Sequence, residues 1–108
     1  MAPSPEPDPS LPFHTVRLII LGRVQGVGYR MWAVETANRF GISGWVRNLT
    51  DGSVEVLAHA GDEAVNAFAA ACRVGPSWGQ VRAVNVKPEA VSFKGAGFEQ
   101  RATSSPAG

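Results

Sequence analysis

Gly22-Arg23-Val24-Gln25-Gly26-Val27-Gly28-Tyr29-Arg30 joins the apolar run Leu18 to Leu21 to a segment with helical spacing. Three glycines let the backbone turn tightly and clear side chains from the inside of the turn. Consecutive amide N–H groups can then converge on one spot as an anion-binding nest. The helix that follows aims its positive N-terminal end at the same spot. Arg30 opens that helix with a planar fork of donors suited to phosphate or carboxylate. A strand, a glycine loop, a helix start and an arginine together read as a cradle for a small anion.

Working outward, Thr15 to Leu21 is β-branched and apolar, interrupted by Arg17, and predicts a strand. After the loop, Tyr29, Trp32, Ala33, Ala37 and Phe40 recur at three- and four-residue spacing and predict a helix over Tyr29 to Phe40, stopped by Gly41. Ile42 to Leu49 and Ser53 to Ala60 read as strands joined through Thr50-Asp51-Gly52, a hairpin signal. In the second of these, Val54, Val56 and Ala58 alternate with Glu55, Leu57 and His59. Asp62 and Glu63 open a second helix whose stripe is Val65, Phe68, Ala69 and Cys72, ended by Gly75-Pro76. Gln80 to Lys87 is a strand whose apolar spacing slips between Val81 and Val84, the sign of a bulge. Lys94 to Gly97 reads as loop, and Phe98 to Ala102 is a short last strand. The order βαββαβ predicts an α+β, ferredoxin-like split βαβ fold: an antiparallel sheet with two helices on one face.

The chain has 108 residues, enough for one domain with a modest core. Five of the eight prolines fall in residues 1–12 (Pro3, Pro5, Pro7, Pro9 and Pro12), so residues 1–13 are expected to be a disordered tail. The domain is expected over 14–102, with a second disordered tail over 103–108. Ten basic residues against nine acidic ones give a net charge of +1, without the basic excess of a general nucleic-acid binder. No run approaches the ~20 apolar residues that span a bilayer, and the N-terminus lacks the blocks of a secretory signal. A soluble cytoplasmic protein is expected. The lone cysteine, Cys72, sits on an apolar helix stripe and reads as core. His14 and His59 stand apart from any ligand cluster and read as solvated or hydrogen-bonded; no metal site is expected.

The fold hosts many functions, so the site must decide. A dinucleotide fingerprint counted from Gly26 needs glycine where Met31 stands. A P-loop needs Gly-Lys-Ser/Thr, and none follows Gly22. A cysteine phosphatase needs its thiol in the anion loop. An RNA-recognition sheet needs stacking aromatics, and Thr15 to Leu21 and Ser53 to Ala60 contain none. What survives is an anion nest beside a second polar feature, Gly44-Trp45-Val46-Arg47-Asn48-Leu49-Thr50-Asp51-Gly52. Asn48 could project near the loop, where a neutral amide can accept from a water and donate to an oxyanion. Arginine, amide nest and asparagine form a kit for phosphoryl transfer to water, a reaction governed by positioning and charge stabilisation.

These two segments, the second extended through Ser53-Val54-Glu55, resemble the acylphosphatase family in order and separation, and the likeness runs from about Val16 to Arg101. The resemblance implies hydrolysis of the carboxyl–phosphate bond of a small-molecule acyl phosphate by direct in-line attack of water, with no metal, no cofactor and no phosphoenzyme. It implies that Arg30 grips the phosphoryl oxygens, that the backbone of Gln25, Gly26, Val27, Gly28 and Tyr29 cradles them, and that Asn48 positions the water. A monomer without nucleic-acid or membrane partners is expected. The longer proline-rich N-terminus and Trp78 depart from the family pattern, away from the catalytic pair.

The plainer readings are an ion pair of Arg30 with a residue such as Glu35, and a turn-starting role for Asn48; the family segments weigh against both. Arg23 and Arg47 read as structural or rim charges, Trp32 and Trp45 as core, Asp51 as a turn residue. Two other functions of the same fold stay open: a non-catalytic phosphate- or carboxylate-binding module, and a carbamoyl-phosphate domain of a larger maturation enzyme. The short chain without zinc fingers speaks against the latter.

Overall fold

The computed structural model describes residues 13–106; the proline-rich segment before Phe13 and the last two residues lie outside them. The elements are β1 (His14–Arg23), α1 (Tyr29–Phe40), β2 (Ser43–Asn48), β3 (Val54–Ala60), α2 (Asp62–Val74), β4 (Gln80–Pro88) and β5 (Phe98–Gln100), the βαββαβ order with a short last strand. The strands form one sheet in the order β4-β1-β3-β2-β5.

Each strand presents alternate residues to opposite faces. Val16, Leu18 and Ile20 of β1, Val54, Val56 and Ala58 of β3, and Val46 of β2 make the helix-side core. α1 buries Tyr29, Ala33, Thr36 and Ala37 against it, and α2 buries Val65, Phe68, Ala69 and Cys72. Phe40, expected on the buried face of α1, is 39% exposed; the helix ends there, at left-handed Gly41, and Thr36 takes the inward position instead. The spacing slip in β4 is a register shift. Leu21 pairs with Ala83 and Gly22 with Val81, so Arg82 is the extra residue.

One expectation needs correction. The β1–β3, β1–β4 and β2–β3 pairings are antiparallel, but β2 and β5 are parallel, so the sheet is mixed. The reason is topological. β4 runs opposite to β1 and hence to β2; the chain then reverses once, and β5 is laid beside β2 rather than beside β4. The connection follows the sheet end: Glu89 N–H donates to the Thr15 carbonyl, Phe93 N–H to Thr15 Oγ1, and Gly44 N–H to the Gly97 carbonyl. The segment after Phe98 also stays paired longer than its composition indicates. Ser104 N–H donates to the Asn48 carbonyl at 3.1 Å, and Thr50 N–H to the Ser104 carbonyl at 2.9 Å.

The face away from the helices is polar but well filled. Glu55 is 1% exposed, held by Arg17 and by Arg47 Nε at 2.7 Å, while Arg17 Nε also reaches Glu89 at 2.5 Å. The bond to Glu89, opposed by burial and helped by Glu55, raises the Arg17 pKa and keeps the guanidinium charged. Trp45 is buried here rather than in the helix-side core, under the guanidinium groups of Arg47 and Arg101 at 4.5 and 5.2 Å from its ring centre. Arg47 is thus structural, as its composition context indicates.

Candidate active site

The glycine loop leaves the sheet where β1 and β4 pinch together. Gly22 has φ 126°, and a Cβ there would stand 2.2 Å from the Gln80 carbonyl oxygen, so only glycine lets the strands approach. Gly28 occupies the N-cap of α1 in the left-handed conformation, φ 80°, which a larger residue adopts only with strain. It supplies no side-chain cap, and the first turn of α1 carries no acidic residue. The opening N–H groups of a helix have no intrahelical partners, so among the described residues this helix start keeps its donors and its partial positive charge uncapped.

Beside it lies a cavity of about 190 Å³. Gly26, Gly28 and Arg30 line it from the loop and helix, and Asn48 from the end of β2. Val24 and Tyr29, each 1% exposed, form its floor, and Met31 and Gln100 complete the lining. Asn48 reaches the cavity because Gly44, Val46 and Asn48 share the helix-facing side of β2 by strand alternation. Among the described residues, no carboxylate lies within ion-pair distance of Arg30, Glu35 included. The guanidinium and the Asn48 amide therefore face the same small space, two donors with no partner among the described residues.

Five of the seven residues expected at the site line the cavity: Gly26, Gly28, Tyr29, Arg30 and Asn48. Gln25 and Val27 do not. The Gln25 amide turns outward and donates to the carbonyls of Leu49 and Ser53, at 2.7 and 2.8 Å, clasping the glycine loop to the turn that follows Asn48. Val27 packs towards Gly79, its Cγ2 3.3 Å from where a Cβ would lie. Tyr29 is an anchor: its hydroxyl donates to the Cys72 carbonyl at 2.8 Å, satisfying a carbonyl in the last turn of α2. Burial drives its phenol pKa far above the ordinary value, so it is a neutral floor.

Gln100 was not singled out by the motifs, yet its signal was present. In β5, Phe98 faces the core, so two residues on the alternation calls for another apolar side chain, and Gln100 stands there. Asp51 is a turn residue, as expected; hydrogen bonds from the Ser53 hydroxyl and N–H hold its carboxyl below the ordinary value. His59 shares a 2.7 Å hydrogen bond with Thr15 Oγ1, and His14 pairs with Asp62 at 2.9 Å. Among the described residues, no group of three or more His, Cys, Asp or Glu is placed to hold a metal ion, and no helix is long and apolar enough to cross a membrane.

A protein-family model described as acylphosphatase matches residues 16–100. The acylphosphatase of Rhodospirillum rubrum is 47% identical over 87 residues, covering 81% of this chain and 94% of that protein. That of Azorhizobium caulinodans is 43% identical over 90 residues, covering 83% and 97%. The crystal structure of an acylphosphatase from Bacillus subtilis superposes with a TM-score of 0.77 at 32% identity, over 81% of this chain and 97% of that one.

Proposed function

The chain belongs to the acylphosphatase family, and from that premise we propose that it hydrolyses the carboxyl–phosphate bond of a small acyl phosphate, releasing a carboxylate and inorganic phosphate. The phosphoryl group lies against the glycine loop and the start of α1, where backbone N–H groups and the helix dipole favour anionic oxygens. Arg30 supplies the paired donors of a guanidinium to those oxygens. Asn48 holds a water on the side of phosphorus away from the acyl oxygen. The water oxygen attacks phosphorus, the bond from phosphorus to the acyl oxygen breaks, and its electron pair leaves on the carboxylate. A proton of the water passes to a phosphoryl oxygen. No side chain need act as base, in keeping with a cavity that has no carboxylate or histidine among the described residues lining it.

The observation that carries this reading is the convergence of Arg30 and Asn48, without partners among the described residues, on one cavity at a left-handed, uncapped helix start. The same cavity, at about 190 Å³, lies below the roughly 300–1,000 Å³ of sites that enclose drug-sized ligands, which supports a small substrate. We further assign the catalytic domain to 14–102 and expect a cytoplasmic monomer that acts without cofactor, metal or nucleic acid. The test is phosphate release from acetyl phosphate and benzoyl phosphate, with chelator present, against an ordinary phosphate monoester. Turnover of the acyl phosphates alone is expected. Arg30→Ala and Asn48→Ala should each lower kcat by ~10²–10³, the cost of one lost transition-state donor, with unfolding midpoints unchanged. Saturable phosphate binding without hydrolysis would make the chain a binding module instead.

A further inference from the structure

Two residues at this cavity have no part in the reaction as written above. Met31, the third residue after the left-handed cap, is 61% exposed, and Gln100 is exposed on the short edge strand β5. Both line the cavity with Arg30 and Asn48. Among the side chains of the lining, exposure orders depth: Val24 and Tyr29 at 1% are the floor, Arg30 and Asn48 are half-buried, and Met31 and Gln100 are the mouth, where the loop glycines Gly26 and Gly28 are also exposed. A substrate whose phosphoryl group rests on the loop amides carries its acyl group at the mouth. The two mouth residues offer different chemistry there. Met31 presents a flexible, polarisable thioether that adapts to apolar shapes. Gln100 presents a carboxamide that can donate to a carbonyl oxygen, and it has no hydrogen-bond partner among the described residues.

Resting on the acylphosphatase reading, we propose that Met31 and Gln100 form an acyl-end subsite, Gln100 donating to the acyl carbonyl and Met31 packing on the acyl chain, so that this pair sets the preference among acyl phosphates. Donation to the carbonyl strengthens as the carboxylate leaves, because negative charge then builds on both acyl oxygens. Gln100 therefore acts on every acyl phosphate, and Met31 acts in proportion to the size of the acyl group.

The experiment compares wild type, Gln100→Leu and Met31→Ala on acetyl phosphate and benzoyl phosphate, with inorganic phosphate as competitive inhibitor and urea unfolding as a check on the fold. Gln100→Leu is expected to lower kcat/KM on both substrates by roughly three- to tenfold, the range of one lost hydrogen bond. Met31→Ala is expected to cost benzoyl phosphate on the order of tenfold while leaving acetyl phosphate nearly untouched. The inhibition constant for inorganic phosphate, which has no acyl end, is expected to hold in both variants. Variants that weaken phosphate inhibition as much as substrate turnover would move these residues to the phosphoryl end and overturn the proposal. So would folded variants with the wild-type benzoyl-to-acetyl ratio and wild-type rates. A wild-type protein that binds phosphate but turns over neither substrate would instead refute the acylphosphatase reading.

Discussion

Replacing Gln25 tests whether the glycine loop is held in place by its own backbone or by the hairpin beside it. The Gln25 amide nitrogen donates at 2.7 Å to the Leu49 carbonyl and at 2.8 Å to the Ser53 carbonyl. Neither carbonyl would be orphaned by its loss, since the Leu49 oxygen also accepts from Gly52 N–H and the Ser53 oxygen from Leu49 N–H. The cost of Gln25→Ala is then the net worth of two hydrogen bonds, about 2 kcal/mol at about 1 kcal/mol each. In a domain of this size that lowers Tm by roughly 8–16 °C, or the urea midpoint by about 1–2 M. Gln25→Glu keeps the shape but sets carboxylate oxygens against two carbonyl oxygens, beside the proposed anion site. It is expected to be less stable than the alanine variant. Because the clasp joins the loop to the residue after Asn48, both variants should also lose on the order of ten- to a hundredfold in kcat/KM while folded, the scale of a small misplacement of reacting groups. Urea denaturation and acetyl phosphate hydrolysis at a temperature where each variant is folded provide the assay. A glutamate variant as stable as wild type, or an alanine variant with wild-type kinetics, would refute the clasp.

Further outcomes concern the frame around the site. Burial pushes the Cys72 thiol up to about 12 from an ordinary value near 9. A raised pKa means that the folded state disfavours the thiolate. Its contribution is complete below pH 9 and is lost as pH rises toward 12, at about 1.4 kcal/mol per unit. Stability measured between pH 8 and 11 should fall along this slope, and Cys72→Ala should lack that part of it. Iodoacetamide should label the thiol only when the protein unfolds. Glu55→Leu strands two partly buried guanidinium groups and should destabilise the fold by about 2–4 kcal/mol, somewhat below the cost of breaking a fully buried pair, because Arg17 keeps Glu89 and Arg47 keeps the Trp45 ring. The cluster lies across the sheet from the cavity. Its loss should leave kcat/KM of the folded fraction intact, as a thermal melt paired with acetyl phosphate kinetics will show.

The parts of the fold that are local in sequence were legible from it. The helices over Tyr29–Phe40 and Asp62–Val74, the Gly41 stop and the β4 bulge all follow from spacing a few residues long and stand where the pattern puts them, with Thr36 in place of Phe40 on the buried stripe of α1. The glycine loop with Arg30 pointed to the anion site proposed above because glycine and arginine restrict what a backbone and a side chain can do. Glu55 shows the opposite case. Alternation placed it on the outer face of β3, but its burial depends on Arg17 and Arg47 from neighbouring strands, and strand pairing is not written in any one segment.

From the residues alone came the elements, their order, the two polar segments and the family that both segments match. Only the folded chain decided that β5 lies parallel to β2, that Gln25 faces the hairpin instead of the cavity, and that Gln100 stands at its mouth. The division has one physical cause. Dihedral preference and hydrophobic period act over a few residues, whereas which distant groups meet depends on how the strands are laid side by side, and that is settled when the whole core is buried at once.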